Sequence, residues 1–543
     1  VIATLKTIIV CLALAPMAAT SLRAGGGAAD PFRALAQESA EQARPMTPQE
    51  RRGRAIYLHG QPASGREIPA LVGDVDVPAS TVTCAGCHGT RGEGKTEGGV
   101  TAVNLTWAHL LKPYGHTHST GRKHGPFDEA AFARAVTGGV DPGGNALHVA
   151  MPRYRMSAED MADLIAYLKR IESERDPGLS ETSLTVGAVL PTQGALADIG
   201  AAIKDALTAY FTEINIRGGI YNRKIELRFH DSGDAAASVA AARASVQQEK
   251  VFALVGSLSA GAERELATLA REGEIPVVGA ATLLPQIEAP PNRYVFYVLP
   301  GVVEQARALV NFASSQPGVT GPRAVILHAE TELASSAASA AQDQARQSGW
   351  GTLARQSYGR GDLGAARIVN ELRLRGFGAV FLFGSGREEA AVIQEAAAQG
   401  WSPQFFLVGA LSGRNLADAV PPAFNGRVFL AFPTVPADVT PAGLAELRAL
   451  SDEYNFAPRH TASQLSALAA AKIFVEGLTR AGRDVTREKL VVALEGLYDF
   501  ETGVTPRVTF GSNRRVGAMG AYVVTIDTEK REFAVASRWV SAE

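Results

Sequence analysis

The chain has 543 residues, 46% hydrophobic and 20% charged, and its 53 basic and 55 acidic residues leave a formal net charge of −2. That composition excludes a disordered chain, which lacks the apolar content for a core. It also speaks against a nucleic-acid binder, which needs a basic face to displace counterions. Three cysteines exclude a disulfide-stapled scaffold, and no internal run reaches the ~18 to 20 apolar residues of a spanning helix.

Lys6 leads an apolar run from Thr7 to Ala15, and the small residues Ala18, Ala19, Thr20 and Ser21 follow. A basic start, a short apolar middle and a small-residue end predict a secretory signal peptide over residues 1–29. The alternative is a retained membrane anchor, for which the run is short. Cleavage removes Cys11 and leaves Cys84 and Cys87. It delivers a chain without a membrane-spanning segment to the periplasm. Residues 30–46 read as a linker.

Cys84-Ala85-Gly86-Cys87-His88 is the strongest motif. This spacing is the attachment signal for a c-type haem. Two thiols three positions apart reach the two vinyl groups on one porphyrin edge. The next residue then places an imidazole under the iron. A zinc site needs two more ligands, and there is no second cysteine pair. A thioredoxin-like redox pair should follow a strand, whereas this pair follows the loop Val77-Pro78-Ala79-Ser80. The motif therefore predicts one haem c, covalently attached to Cys84 and Cys87.

Further on, Met151-Pro152 precedes a predicted helix. Ser157 suits its N-cap, Glu159 and Asp160 its first turn, and Lys169 and Arg170 its last. Met161, Leu164, Ile165 and Leu168 recur at helical spacing. With the Gly-rich loop from Gly138 to Gly144, this stretch resembles the end of a class I cytochrome c. The resemblance spans residues 47–172 and implies a small all-α domain. Arg52-Gly53-Arg54-Ala55-Ile56-Tyr57 is similar to the family's first helix, and residues 60–80 read as an inserted loop. By this resemblance His88 is the proximal iron ligand and Met151 the distal one. His148, Met156 or an open site are the alternatives for the distal position. His116, His118 and His124 lie in a Gly/Lys/Thr-rich stretch without a carboxylate or a helix. They read as a solvated loop rather than a metal cluster.

Asp176-Pro177-Gly178 breaks the pattern, and residues 173–182 read as a second linker. From Leu184 strands and helices alternate, which predicts an α/β fold with parallel sheets. About 360 residues exceed one sheet layer and predict two lobes. The blocks from Gly187 to Gly194, Glu213 to Ile220, Asn222 to Leu227, Val255 to Ser257, Ile275 to Thr282 and Gly503 to Thr505 keep a recognisable order. They resemble the type I periplasmic binding proteins of branched-chain amino acid transporters over residues 183–543. That implies two lobes closing on a small solute about three crossing segments.

The resemblance also implies ligand contacts at strand ends, here Ser257, Ser259, Ala280 and Thr282. In the family such hydroxyls and amides hold a carboxylate, as a helix N-terminus would. Capping a helix is the other role open to Ser257 and Thr282. Leu333-Ala334 stands where the family has Tyr-Gly. Gly384-Ser385-Gly386 and Gly409-Ala410-Leu411-Ser412 lack the aromatic and acidic residues that grip an ammonium group. A carboxylate solute without the ammonium therefore fits at least as well as an amino acid. Glu330 and Glu332 supply charge if they face the cleft.

These readings predict an exported fusion in which one-electron transfer through haem c is coupled to solute binding. The alternative is a substrate receptor of an ABC transporter with an accessory haem domain. A peroxidase-like enzyme needs an open iron, which a Met151 ligand disfavours, so the chain reads as a non-enzyme. The expected partners are a small solute, a periplasmic redox protein (a dehydrogenase or another cytochrome) and an ABC permease.

Overall fold

A computed structural model describes residues 46–543, apart from 98–99, 119, 234, 259–260, 288, 320–322, 360, 362 and 414–415. The predicted signal peptide lies outside the described residues. The chain divides into two compact units between Glu174 and Arg175.

In the N-terminal unit, helix α1 (Pro48–His59) begins at a capping box. Thr47 Oγ1 accepts from Glu50 N at 3.1 Å, and Glu50 Oε2 accepts from Thr47 N at 2.6 Å. Helix α2 (Cys84–His88) is little more than one turn, capped by Thr83, whose Oγ1 accepts from Gly86 N at 3.1 Å. Asp128 caps helix α3 (Glu129–Gly138), and Ser157 caps helix α4 (Ala158–Leu168) as predicted.

Helices α1 and α4 cross in direct contact. A Cβ on Gly53 would lie 1.9 Å from the Asp163 carbonyl oxygen, so the crossing requires glycine there. Beside it, Arg52 donates to both carboxylate oxygens of Asp163, at 2.7 and 2.8 Å. The buried rings of Tyr57 and Tyr167 meet with centroids 5.6 Å apart.

Residues 60–80, expected as a loop, contain a β-hairpin. The strand Pro69–Val72 pairs with Val75–Pro78 on one side and with Arg153–Tyr154 on the other, both antiparallel. The insert thus gives a backbone partner to the strand that follows Met151.

The C-terminal unit contains two sheets with separate cores. The first runs Val295–Phe296, Val277–Val278, Ala253–Val255, Ser183–Leu190, Lys224–Asp231, with every neighbour parallel. The second runs Ala354–Tyr358, Ala324–Ala329, Ala379–Phe383, Gln404–Val408, Val428–Phe432, Gly520–Asp527, Glu532–Ser541. Its first five strands are parallel and the last two close it antiparallel. Ala379–Phe383 is buried at every residue, the pattern of a parallel strand covered on both faces. Phe381, Phe406 and Phe429 stack across three neighbouring strands, with centroids 4.9 and 5.4 Å apart.

The chain passes between the two sheets three times: after Phe296, after Phe432 and before Gly520. The first and third passages are bonded together. Tyr297 N donates to Arg515 O, and Gly517 N to Tyr297 O, each at 2.8 Å. This is the two-lobed α/β architecture that the sequence predicts, preceded by a small helical unit with short strands.

The Gly53 crossing leads to a stability prediction. Gly53→Ala forces backbone apart and should destabilise the N-terminal unit by ~1 to 3 kcal/mol. Thermal unfolding followed by circular dichroism measures the loss.

Candidate functional site

Residues three and four apart share a helix face, so α2 presents Cys84, Cys87 and His88 together. All three line a mainly apolar cavity in the N-terminal unit. Both thiols are free. Burial pushes the Cys84 thiol up to about 12, which keeps it neutral. His88 is buried, and its Nδ1 lies 2.7 Å from the carbonyl oxygen of Val103. A carbonyl only accepts, so Nδ1 carries the proton and Nε2 keeps its lone pair. Burial also holds the His88 pKa below the ordinary imidazole value, which favours the neutral ring. Tyr57 Oη donates to Gly89 O at 2.7 Å and ties the end of α2 to α1.

Met151 and His148 both line the same cavity. Met151 is half-buried and His148 is exposed. Met156 packs against the core of the unit but is not part of the cavity lining. The Met151 loop is held from several sides. Met151 N donates to His148 O at 3.0 Å. The Arg153 guanidinium donates to the carbonyls of Met151 and Leu147. A Cβ on Gly139 would lie 1.8 Å from Arg153 Nε, so the Gly-rich loop makes room for that guanidinium. Tyr154 Oη donates to Val82 O, close to the start of α2.

Two free thiols, an oriented imidazole, a thioether and an apolar wall are the donor set that a c-type haem needs. The residues present fit the group.

The histidines expected in a solvated loop are ordered instead. His116–Thr117 pairs antiparallel with Lys123–His124. Together with His109, the imidazoles of His116, His118 and His124 line the cavity. His124 is 8% exposed, which is incompatible with a solvated loop. Sequence reasoning missed this because the partners are non-local: His109 lies in the short helix Trp107–Leu110, and Asp141 of the Gly-rich loop binds Arg122 at 2.6 Å.

In the C-terminal unit, Ser257, Ala280 and Thr282 lie just past the ends of two neighbouring strands, Ala253–Val255 and Val277–Val278. Ser257 is fully buried, and its Oγ accepts from Val189 N at 3.1 Å. Ala280 is nearly buried. Thr282 Oγ1 donates to Glu263 Oε1 at 3.1 Å and accepts from Leu284 N at 2.9 Å. Ser259 lies outside the described residues. On the other lobe, Ser357 Oγ donates to Glu330 Oε1 at 2.9 Å. Glu332 pairs with Arg264 of the first lobe at 3.4 Å, both side chains being exposed.

The loops Gly384–Gly386 and Gly409–Ser412 meet at the strand ends of the second lobe. A Cβ on Gly386 would lie 1.8 Å from Ser412 O. Glu389 is fully buried beside them, and its Oε1 accepts from Gly384 N at 3.4 Å. Burial pushes its carboxyl up to about 8.

Residues 183–531, more than half of the chain, match the family model of the periplasmic binding proteins. The chain belongs to that family. Residues 79–172 match the cytochrome c family, so this binding protein carries a cytochrome c domain ahead of its two lobes. A Leu/Ile/Val-binding protein homolog 8 of Brucella suis biovar 1 (strain 1330) is 24% identical over 359 residues, covering 62% of this chain and 88% of its own. A Leu/Ile/Val-binding protein homolog 7 of Brucella abortus (strain 2308) is 22% identical, covering 60% and 84%. Among solved structures, a branched chain amino acid ABC transporter from Thermus thermophilus with bound valine superposes with a TM-score of 0.54. It is 19% identical and covers 67% of this chain and 97% of its own. A fatty acid ABC transporter substrate-binding protein from Thermomonospora curvata gives 0.53 at 19% identity, covering 68% and 95%. At that identity the likeness shows the fold. Among the described residues no helix is long and apolar enough to cross a membrane.

Glu389 makes the stability of this binding protein depend on pH. Its folded pKa of about 8 stands above the ordinary carboxyl value. Its contribution is therefore whole below that ordinary value and is lost as pH rises through about 8. Glu389→Gln should flatten this slope and stabilise the C-terminal unit at pH ~9 by ~2 to 4 kcal/mol. Urea unfolding at acid and alkaline pH checks the sign.

Proposed function

We propose that the protein is an exported one-electron carrier whose haem c domain works with a solute-binding module. The observation that carries this reading is α2, with two free thiols and an oriented imidazole facing one apolar cavity, in the same chain as a periplasmic binding fold. Cys84 and Cys87 hold the haem by thioether bonds. His88 Nε2 is the proximal ligand and Met151 the distal one. When bound, haem c supplies reversible one-electron exchange. The Val103 carbonyl orients His88. Arg153 and the strand Pro69–Val72 hold the Met151 loop. Phe132, Leu164 and Leu168 exclude water from the cavity.

The solute binds between the lobes, at the strand ends that carry Ser257, Ala280 and Thr282, and Ser259 is a further contact. It bears a carboxylate. The Ser257 loop contributes backbone and shape, since its hydroxyl already serves Val189. Valine and fatty acids, the ligands named for two solved proteins of this fold, share a carboxylate. Leu333 and the loops Gly384–Gly386 and Gly409–Ser412 themselves contain no aromatic or acidic residue, and the acidic side chains beside Gly384, Glu388 and Glu389, come from the following helix. Electrons pass to or from a periplasmic redox protein, either a dehydrogenase or another cytochrome. The signal peptide over residues 1–29 directs export. On this reading the chain carries electrons and binds solute and is not itself an enzyme.

The names of the Leu/Ile/Val-binding relatives favour a second reading, a receptor that delivers its solute to an ABC permease while the haem domain is accessory.

Visible absorption of the exported protein, oxidised and reduced, tests the haem assignment. The expected result is a reduced c-type spectrum and a far-red methionine–iron band. Met151→Ala should abolish that band and lower the reduction potential. A spectrum without the band would give the distal position to His148 or leave it open. Coupling requires the solute to bind the two redox states differently. Branched-chain amino acids and short-chain carboxylates, titrated in, should therefore shift the potential where they bind. Equal potentials with and without a saturating solute would favour the transport reading.

A further inference from the structure

A cavity of about 380 Å³ lies in the C-terminal unit beside the passages between its two sheets. That volume suits a small organic ligand. Asp438 comes to its wall from the second passage and Met519 from the third. Gly503 lines it from the block before the third passage, and Tyr522 and Trp539 from the last two strands of the second sheet. None of the strand-end residues Ser257, Ala280 and Thr282 lines this cavity.

Tyr522 and Trp539 stand opposite each other on the antiparallel pair Gly520–Asp527 and Glu532–Ser541, so their side chains share a face. The register shifts immediately after Tyr522, and a bulge of this kind re-aims the side chains beside it. The two rings meet at 75° with centroids 5.0 Å apart, and form a corner of the wall. Trp539 packs on Gly520, where a Cβ would lie 2.7 Å from the indole nitrogen. Aromatic rings attract cations because their faces carry negative charge.

The charges on the wall do not balance. Arg507 is matched by Asp499 and Glu501, at 2.8 and 2.7 Å. Arg514 pairs with Glu543 at 3.1 Å and donates otherwise to the carbonyls of Val516 and Gly517. Both guanidiniums therefore already have their anions. Asp438 differs. Its Oδ1 accepts from Tyr522 Oη and its Oδ2 from Val435 N at 2.8 Å, and among the described residues no cation pairs with it. Burial pushes the Asp438 carboxyl above its ordinary value, while Tyr522 and the Val435 N–H act in the opposite sense. A partly desolvated carboxylate is stabilised by a cation, and every arginine on this wall is taken. One carboxylate supplies too few oxygens for a hard divalent metal ion. The diffuse charge of an organic ammonium suits the aromatic corner instead.

We propose that this cavity binds a small organic ammonium ion, its charge against Asp438 and its carbon groups against Tyr522 and Trp539. The proposal uses no group assigned to the haem or to the carboxylate solute, so it stands or falls separately from those readings.

Calorimetric titration of the full chain tests it. The probes are choline, ethylammonium and the uncharged isostere of choline in which a tert-butyl group replaces the trimethylammonium. The expected result is one choline per chain, with the isostere bound at least about tenfold more weakly. Asp438→Asn and Trp539→Leu should each weaken choline about tenfold. Should Asp438→Asn not fold, Trp539→Leu decides the matter, since that side chain is only half-buried. Choline bound equally by both variants sits elsewhere and overturns the proposal, as does equal binding of the isostere. Absence of binding by both choline and ethylammonium overturns it too. Acetate bound in place of choline, and lost in Arg514→Gln, would make the cavity an anion site and overturn it as well.

Discussion

The hydrogen bond between His88 Nδ1 and the Val103 carbonyl decides which ring nitrogen faces the cavity. Everything proposed for the N-terminal unit depends on that choice. Without it the imidazole could present either nitrogen, and the thiols of Cys84 and Cys87 would stand beside a ring of undefined direction. The bond is itself held in place from a distance. Tyr57 reaches Gly89 at the end of α2, and Tyr57 sits where α1 crosses α4 above Gly53. A helix crossing that only glycine permits therefore fixes the floor of the site. The Met151 loop is fixed by a different set of groups: Arg153, Gly139 and the inserted hairpin.

Much of this was legible in the sequence where the signal is local. The Cys84–His88 motif carries its chemistry in five residues. Ser157, its acidic first turn and the apolar positions from Met161 to Leu168 announce α4, and Ser157 caps that helix. The alternation of strands and helices after Leu184 gave two lobes because each buried parallel strand is an unbroken apolar run. What was not legible depends on partners far along the chain. The hairpin within residues 60–80 is short, and its third strand arrives only at Arg153. The histidine cluster draws on the short helix Trp107–Leu110, a hairpin and a Gly-rich loop that no periodicity connects. Ser257 shows a third kind of limit. The strand end on which it lies was foreseen, but whether its hydroxyl faces a cleft or a neighbouring strand depends on packing, and it accepts from Val189.

The two lobes differ in how their strand ends are finished. The first lobe closes around backbone turns and short hydroxyl contacts such as Thr282 with Glu263. The second places a buried carboxyl, Glu389, behind two glycine-rich loops that press against each other. Small residues there let backbone approach backbone.

The column of Phe381, Phe406 and Phe429 bears on how such a protein moves. Close-packed interiors have low compressibility, and three rings stacked across adjacent strands leave the second sheet little freedom to flex. Rotation is thus confined to the three short passages between the sheets, two of which are hydrogen-bonded to each other. A second lobe built in this way would turn as a single lever. A spectroscopic label placed anywhere along it reports the same angle, so opening and closing can be followed without touching the strand ends where a solute would sit.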